Sequence, residues 1–200
     1  MVLFILALLM VPSVPAVDSL FFTPESKANT FGIDGSETQQ VTITTKKLRG
    51  FWDINGAQVA VVPMHGRASL TDPARVARVY ELLFGVDAET AAMIADLIRQ
   101  VFAMYPSLRD GDNPFFTFNA FAYNPADDPI GAGMGVGKKI VLGDGIFAGM
   151  NALGLDKVST RGILAHEYGH EVQFGKGLTA TDLTGAEESR RLELMADALA

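Results

Sequence analysis

Two hundred residues, 48% of them hydrophobic and none of them cysteine, describe a chain long enough to bury a sizeable core as one domain. The missing cysteine excludes a disulfide framework and a lipoprotein attachment site. The net charge of −7 argues against nucleic acid or an anionic membrane surface as a partner.

The chain opens on an apolar run from Val2 to Val11, followed by Pro12-Ser-Val-Pro-Ala16. This resembles the h-region and cleavage site of a signal peptide over residues 1–16. The expectation is export: a periplasmic, secreted or membrane-associated protein. A bilayer span needs about 20 apolar residues, more than this run supplies. No Lys or Arg precedes Lys27, so the basic start of a leader is missing; either the true start lies upstream or the segment is an unusual anchor.

Residues 17–38 are rich in Ser, Thr, Gly and Pro and read as a linker, leaving 39–200 as a single domain. Gln40 to Thr45 and Gln58 to Val62 read as strands, with Asn55-Gly56 turning the chain between Phe51-Trp52 and the second run. Lys46, Lys47 and Arg49 read as a solvated strand end. His65 in the Pro63-Met-His-Gly66 loop is a minor candidate ligand, since a lone loop histidine is usually solvated or hydrogen-bonded. Thr71-Asp72-Pro73 opens a helix to about Phe84, because proline suits a first helical turn. Glu89 to Tyr105 forms a second helix, with Ile94, Leu97, Ile98, Val101 and Phe102 at core spacing.

Phe115 to Tyr123 is aromatic-rich and alternating, which predicts a strand ended by Asn124-Pro125. A second strand runs from Lys139 to about Gly143, antiparallel to the first. Between them, Gly131-Ala-Gly-Met-Gly-Val-Gly137 invites a phosphate-loop reading that fails on detail. Ala132 stands where a Walker A glycine is required and Lys139 where Ser or Thr is required, so the run reads as a flexible loop. An exposed edge at Asn119, Ala120 and Phe121 suits an extended polypeptide substrate added as a strand, and a plain core hairpin accounts for the pattern equally well.

The sharpest signal is His166-Glu-Tyr-Gly-His170. On a helix, positions i and i+4 share a face, so both imidazoles can reach one ion. Glu167, rotated by roughly 100°, stands beside the ion as a candidate general base. Asp156 and Ser159 signal the helix start and Gly175 its stop, and Ile163, His166, His170 and Phe174 form a stripe expected to face inward. A catalytic zinc usually takes three protein ligands. The H-E-x-x-H-x-x-G-x-x-H arrangement fails, because Gln173 replaces its glycine and Lys176 its third histidine. The remaining route is a carboxylate on the next helix, predicted over 184–200 with a Thr184/Glu187 capping box and an apolar face of Leu192, Met195, Ala196 and Leu199. There Glu193 and Asp197 lie one turn apart, so one can ligate while the other hydrogen-bonds a ligating histidine. Glu171, Asp182, Glu187 and Glu188 are weaker candidates.

Ile163-Leu-Ala-His-Glu-Tyr-Gly-His170 with Glu193-Leu-Met-Ala-Asp197 resembles gluzincin-type zinc metallopeptidases, especially the HtpX-like peptidases and the bacterial neutral zinc metallopeptidases. The strand pair around Phe118–Ala122 and Lys139–Gly145 is similar to the one those families place before the metal helix. The resemblance covers residues 115–200. It implies an α+β, zincin-like fold with a small antiparallel sheet, and a Zn2+ cofactor held by His166, His170 and Glu193. It further implies Glu167 as general base, Asp197 supporting a histidine ligand from behind, and hydrolysis of peptide bonds. A non-catalytic zinc-containing interaction domain is the alternative, against which the intact Glu167 speaks. The chain ends at Ala200 inside the second metal helix, so the expectation includes a domain cut short there.

Overall fold

The computed structural model describes residues 30–127, 132–133 and 135–200. The expected signal peptide, residues 17–29 of the expected linker and part of the glycine-rich run lie outside the described residues. No described helix is long and apolar enough to cross a membrane. The fold is α+β, mostly helical, with a small three-stranded mixed sheet.

The principal elements are α1 (Thr38–Phe51), β1 (Ala60–Met64), α2 (Gly66–Leu70), α3 (Pro73–Phe84), α4 (Ala88–Met104), β2 (Ala120–Tyr123), β3 (Lys139–Gly143), α5 (Asp144–Ala152), α6 (Asp156–Lys176) and α7 (Ala186–Leu199). The strand order is β1-β3-β2. β2 and β3 run antiparallel as expected, with Ala120 opposite Leu142 and Tyr123 opposite Lys139. β1 runs parallel to β3, from Ala60 opposite Lys139 to Met64 opposite Gly143, which corrects the expectation of a purely antiparallel sheet. A parallel pair needs a long crossover, and α2 to β2 fills the chain between the two strands. Pro63 fits in β1 because that strand lies at an edge.

β3 is buried along its whole length and carries the core on both faces. Ile140 and Leu142 pack with Leu164, Tyr168 and Val172 of α6 and Phe147 of α5. Val141 faces the other way, with Val62 and Met64 of β1 and Val79 of α3. Its apolar run is what a strand covered by helices on both sides requires.

α3 and α4 start and stop as their sequences dictate. The Asp72 carboxylate accepts from the Ala74 and Arg75 amides at 3.0 and 3.3 Å, Pro73 follows it, and Gly85 takes the left-handed conformation at φ 61°. Asp87 accepts from the Thr90 amide at 2.8 Å to open α4. The pair closes over Val76, Tyr80, Ala91, Ala95, Ile98, Val101 and Phe102. Leu97, expected in this core, is 42% exposed, because the helix turns its small residues Ala91 and Ala95 inward instead.

Four other expectations are corrected. Gln40–Thr45 is helix rather than strand: Val41, Thr44 and Thr45 are buried at i, i+3, i+4 spacing, so tertiary packing overrides the β-branched composition. Lys46, Lys47 and Arg49 therefore lie on a helix, where Arg49 Nη2 donates to the Val59 carbonyl at 2.6 Å. Of the strand expected from Phe115 to Tyr123, only the last four residues are strand, since Pro114–Thr117 coils into a 3-10 turn whose Phe115 amide donates to Asn113 at 3.0 Å. Residues 30–38 of the expected linker are packed: Phe31 and Glu37 are buried. The Glu37 carboxylate accepts from Thr160 Oγ1 at 2.6 Å and Asn151 Nδ2 at 3.2 Å, joining the entrance of α1 to α6 and α5.

Candidate metal centre

α6 carries the His-Glu-x-x-His sequence and runs uninterrupted through Gly175, ending at Lys176 where Gly177 adopts φ 66°. The expected stop was two residues early; Gly175 lies within the last turn. Ser159 and Asp156 fall in the first turn, but no side chain caps the helix. The inward face is also rotated from expectation. Leu164, Tyr168, Glu171 and Val172 are fully buried, whereas Ile163, His166, His170 and Phe174 are only half-buried, the two histidines meeting Glu193 and Asp197 of α7. That rotation leaves the imidazoles accessible while the helix keeps an apolar anchor beneath them.

α7 begins at Ala186, with Gly185 at its N-cap and no side-chain cap, so the predicted Thr184/Glu187 box does not form. Its apolar side faces α6, with Ala196 fully buried. Gly169 makes this approach possible. A Cβ there would stand 2.6 Å from the Ala196 carbonyl oxygen and 3.1 Å from its Cα, so a side chain would push the helices apart.

The close contact brings His166, His170 and Glu193 together, with one donor atom from each lying within 4.8 Å of the others. His166 Nε2 is 3.1 Å and His170 Nε2 3.6 Å from the same Glu193 oxygen. Two ligands about 2.0–2.1 Å from a tetrahedral zinc stand about 3.4 Å apart, so these separations bracket the spacing one ion would impose. The rings meet edge-on with centroids 4.9 Å apart, and Phe174 stacks against His170. The donor set, two imidazoles and a carboxylate at half-buried to exposed positions, suits zinc and leaves an open side toward solvent.

Each histidine has a polar partner behind it. Asp197 Oδ1 meets His166 Nδ1 at 2.8 Å, and Gln173 Oε1 meets His170 Nδ1 at 3.0 Å. Burial disfavours the charged His166 ring, but the Asp197 hydrogen bond and the charges of Glu167, Glu193 and Asp197 outweigh it, so its pKa lies above the ordinary value. Glu167 is 7% exposed. Burial pushes it up to about 7, with Glu193 adding to the rise; the His166 charge and a hydrogen bond from the Ala122 amide oppose it.

Other candidates lie elsewhere. Glu171 is fully buried one turn after Glu167 on α6, with both oxygens unpartnered, and burial raises its pKa to about 8. Asp182 and Glu187 are exposed, and Glu188 is half-buried in the first turn of α7. His65 binds Asp144 at 2.8 Å. Of the expected substrate edge, Asn119 is exposed, but its carbonyl accepts from the Gly143 amide at 2.9 Å. Ala120 faces the α6 side of the sheet, while the Phe121 side chain packs on the opposite face beside Val141. In sequence Gln173 and Gly169 are legible only as a mismatch and a filler; a glutamine one turn after a candidate ligand histidine is the available signal for the first.

Comparison with family models, curated proteins and solved structures finds no match to this chain.

Proposed function

We propose that the chain is a zinc-dependent metalloendopeptidase domain of zincin-like fold, with His166, His170 and Glu193 as metal ligands and Glu167 as general base. The observation that carries this reading is the convergence of both Nε2 atoms on one Glu193 oxygen, with the Glu167 carboxyl one residue along the same helix. Zinc held there would acidify a bound water and polarise the scissile carbonyl. Glu167 removes a proton from the attacking water and returns it to the leaving amine. Burial raises the basicity of its carboxyl in the metal-free chain, the direction a proton acceptor requires. Asp197 orients His166 through the 2.8 Å hydrogen bond.

Elemental analysis of purified protein tests this together with a casein-type cleavage assay. The expected result is one zinc per chain and cleavage that a chelator abolishes and added zinc restores. Absence of stoichiometric zinc sinks the reading, and zinc without cleavage turns the site into the structural centre of an interaction domain.

A further inference from the structure

Gln173 is fully buried, yet neither end of its amide is idle. Nε2 donates to the Leu192 carbonyl at 2.6 Å, and Oε1 lies 3.0 Å from His170 Nδ1. We infer that Gln173 is a positioning residue of the metal centre, fixing the His170 tautomer and tying that ring to the backbone immediately ahead of Glu193. This rests on the metal-site reading for its purpose, though the hydrogen-bond chain stands without it.

The argument begins at the Leu192 carbonyl. A backbone carbonyl can only accept, so the group facing it must be the amide NH2; a flipped amide would set two oxygens against each other. The amide oxygen is thereby left facing His170 Nδ1, and an oxygen without hydrogen can only accept. His170 must carry its proton on Nδ1, which leaves the Nε2 lone pair directed toward Glu193 and available to a cation. Asp197 acts on His166 from outside, at an exposed position; Gln173 acts on His170 from inside. The bond to Leu192 adds a second effect, because the carbonyl belongs to α7 one residue before the ligand. One side chain sets both the ring that ligates and the local spacing between the helices that bring the ligands together. A buried glutamine serving only as packing would be replaceable by an apolar side chain of similar shape without consequence for His170.

The test reads His170 in metal-free protein by long-range 1H–15N correlation of the imidazoles, and zinc affinity separately by competition with a chromophoric chelator. Wild type is expected to hold the Nδ1–H tautomer. Gln173→Leu should lose that preference and bind zinc about ten- to a hundredfold more weakly, as removal of a ligand's hydrogen-bond partner usually does. Gln173→Glu keeps an acceptor at Nδ1 and should retain the tautomer, but it loses the donor to Leu192 and should recover only part of the affinity. Ile98→Val, a core change in α4 away from the site, should leave both readouts unchanged. If Gln173→Leu does not fold, Gln173→Met carries the same expectation. An unchanged tautomer with wild-type zinc affinity in either apolar variant overturns the inference. Failure of wild type to bind zinc refutes the metal reading, while the metal-free tautomer comparison still decides whether Gln173 sets His170.

Discussion

Two helix pairs in this molecule close by opposite means. α3 and α4 meet through an apolar seam of Val76, Tyr80, Ala91, Ala95, Ile98, Val101 and Phe102. α6 and α7 meet where Gly169 lets the backbones approach and polar bridges, His166 to Asp197 and Gln173 to Leu192, cross the gap. The apolar seam gains stability from area removed from water and tolerates small shifts in angle. The polar seam gains less stability per contact but admits few geometries, since each donor must meet its acceptor at hydrogen-bond distance. Where side chains must converge on one point within tenths of an ångström, the second kind of seam is the one that serves.

The contrast can be broken at several points. The largest effect is expected from Glu167→Gln, which should lower peptide hydrolysis by about 10²- to 10⁴-fold while leaving zinc content and melting temperature near wild type. Steady-state cleavage measured beside metal analysis checks it, and wild-type turnover would remove Glu167 from the mechanism. Ile98→Ala should cost about 2–5 kcal/mol in denaturant unfolding, with zinc affinity of the folded protein unchanged. Gly169→Ala should reverse that pattern: a smaller loss of about 1–3 kcal/mol, accompanied by zinc binding weakened more than tenfold as α7 is displaced. Equal loss of zinc affinity in both variants would erase the distinction between the seams.

The sheet between the two pairs offers the gentlest perturbation. Lys139 is 1% exposed, its ammonium 5.6 Å from the Tyr123 ring centre, and burial lowers its pKa from 10.5 to about 8. Between those values the unfolded chain binds more protons than the folded one, so stability rises as pH climbs from about 8 toward 10.5. Below 8 the burial cost is present in full. Lys139→Met should flatten that rise and increase stability at pH 7 by up to about 3 kcal/mol, without altering zinc affinity at fixed pH. Urea melts across pH 7–10.5 measure both.

What could be read from sequence followed how local the cause was. The α3 and α4 boundaries came through because Asp72-Pro73, Gly85 and Asp87 act on their own backbone. Lys139–Gly143 came through because burial on both faces leaves an unbroken apolar run. Gln40–Thr45 did not, since Val-Thr-Ile-Thr-Thr satisfies a two-residue period as well as a helical one, and only contacts with distant chain select between them. In the candidate metal centre, the His166, His170, Glu193 and Asp197 constellation is visible as spacing on two helices. Gln173 is not, because its role depends on a carbonyl 19 residues away.

Glu37 shows how misleading a domain boundary drawn from composition would be. A version of the chain trimmed to begin at residue 39 would keep every residue assigned to the metal centre and lose only what reads as spacer. It would also delete the acceptor of the Thr160 hydroxyl and the Asn151 amide, stranding a buried polar group on the same helix two turns before His166. Expression limits set upstream of Phe31 keep that footing intact.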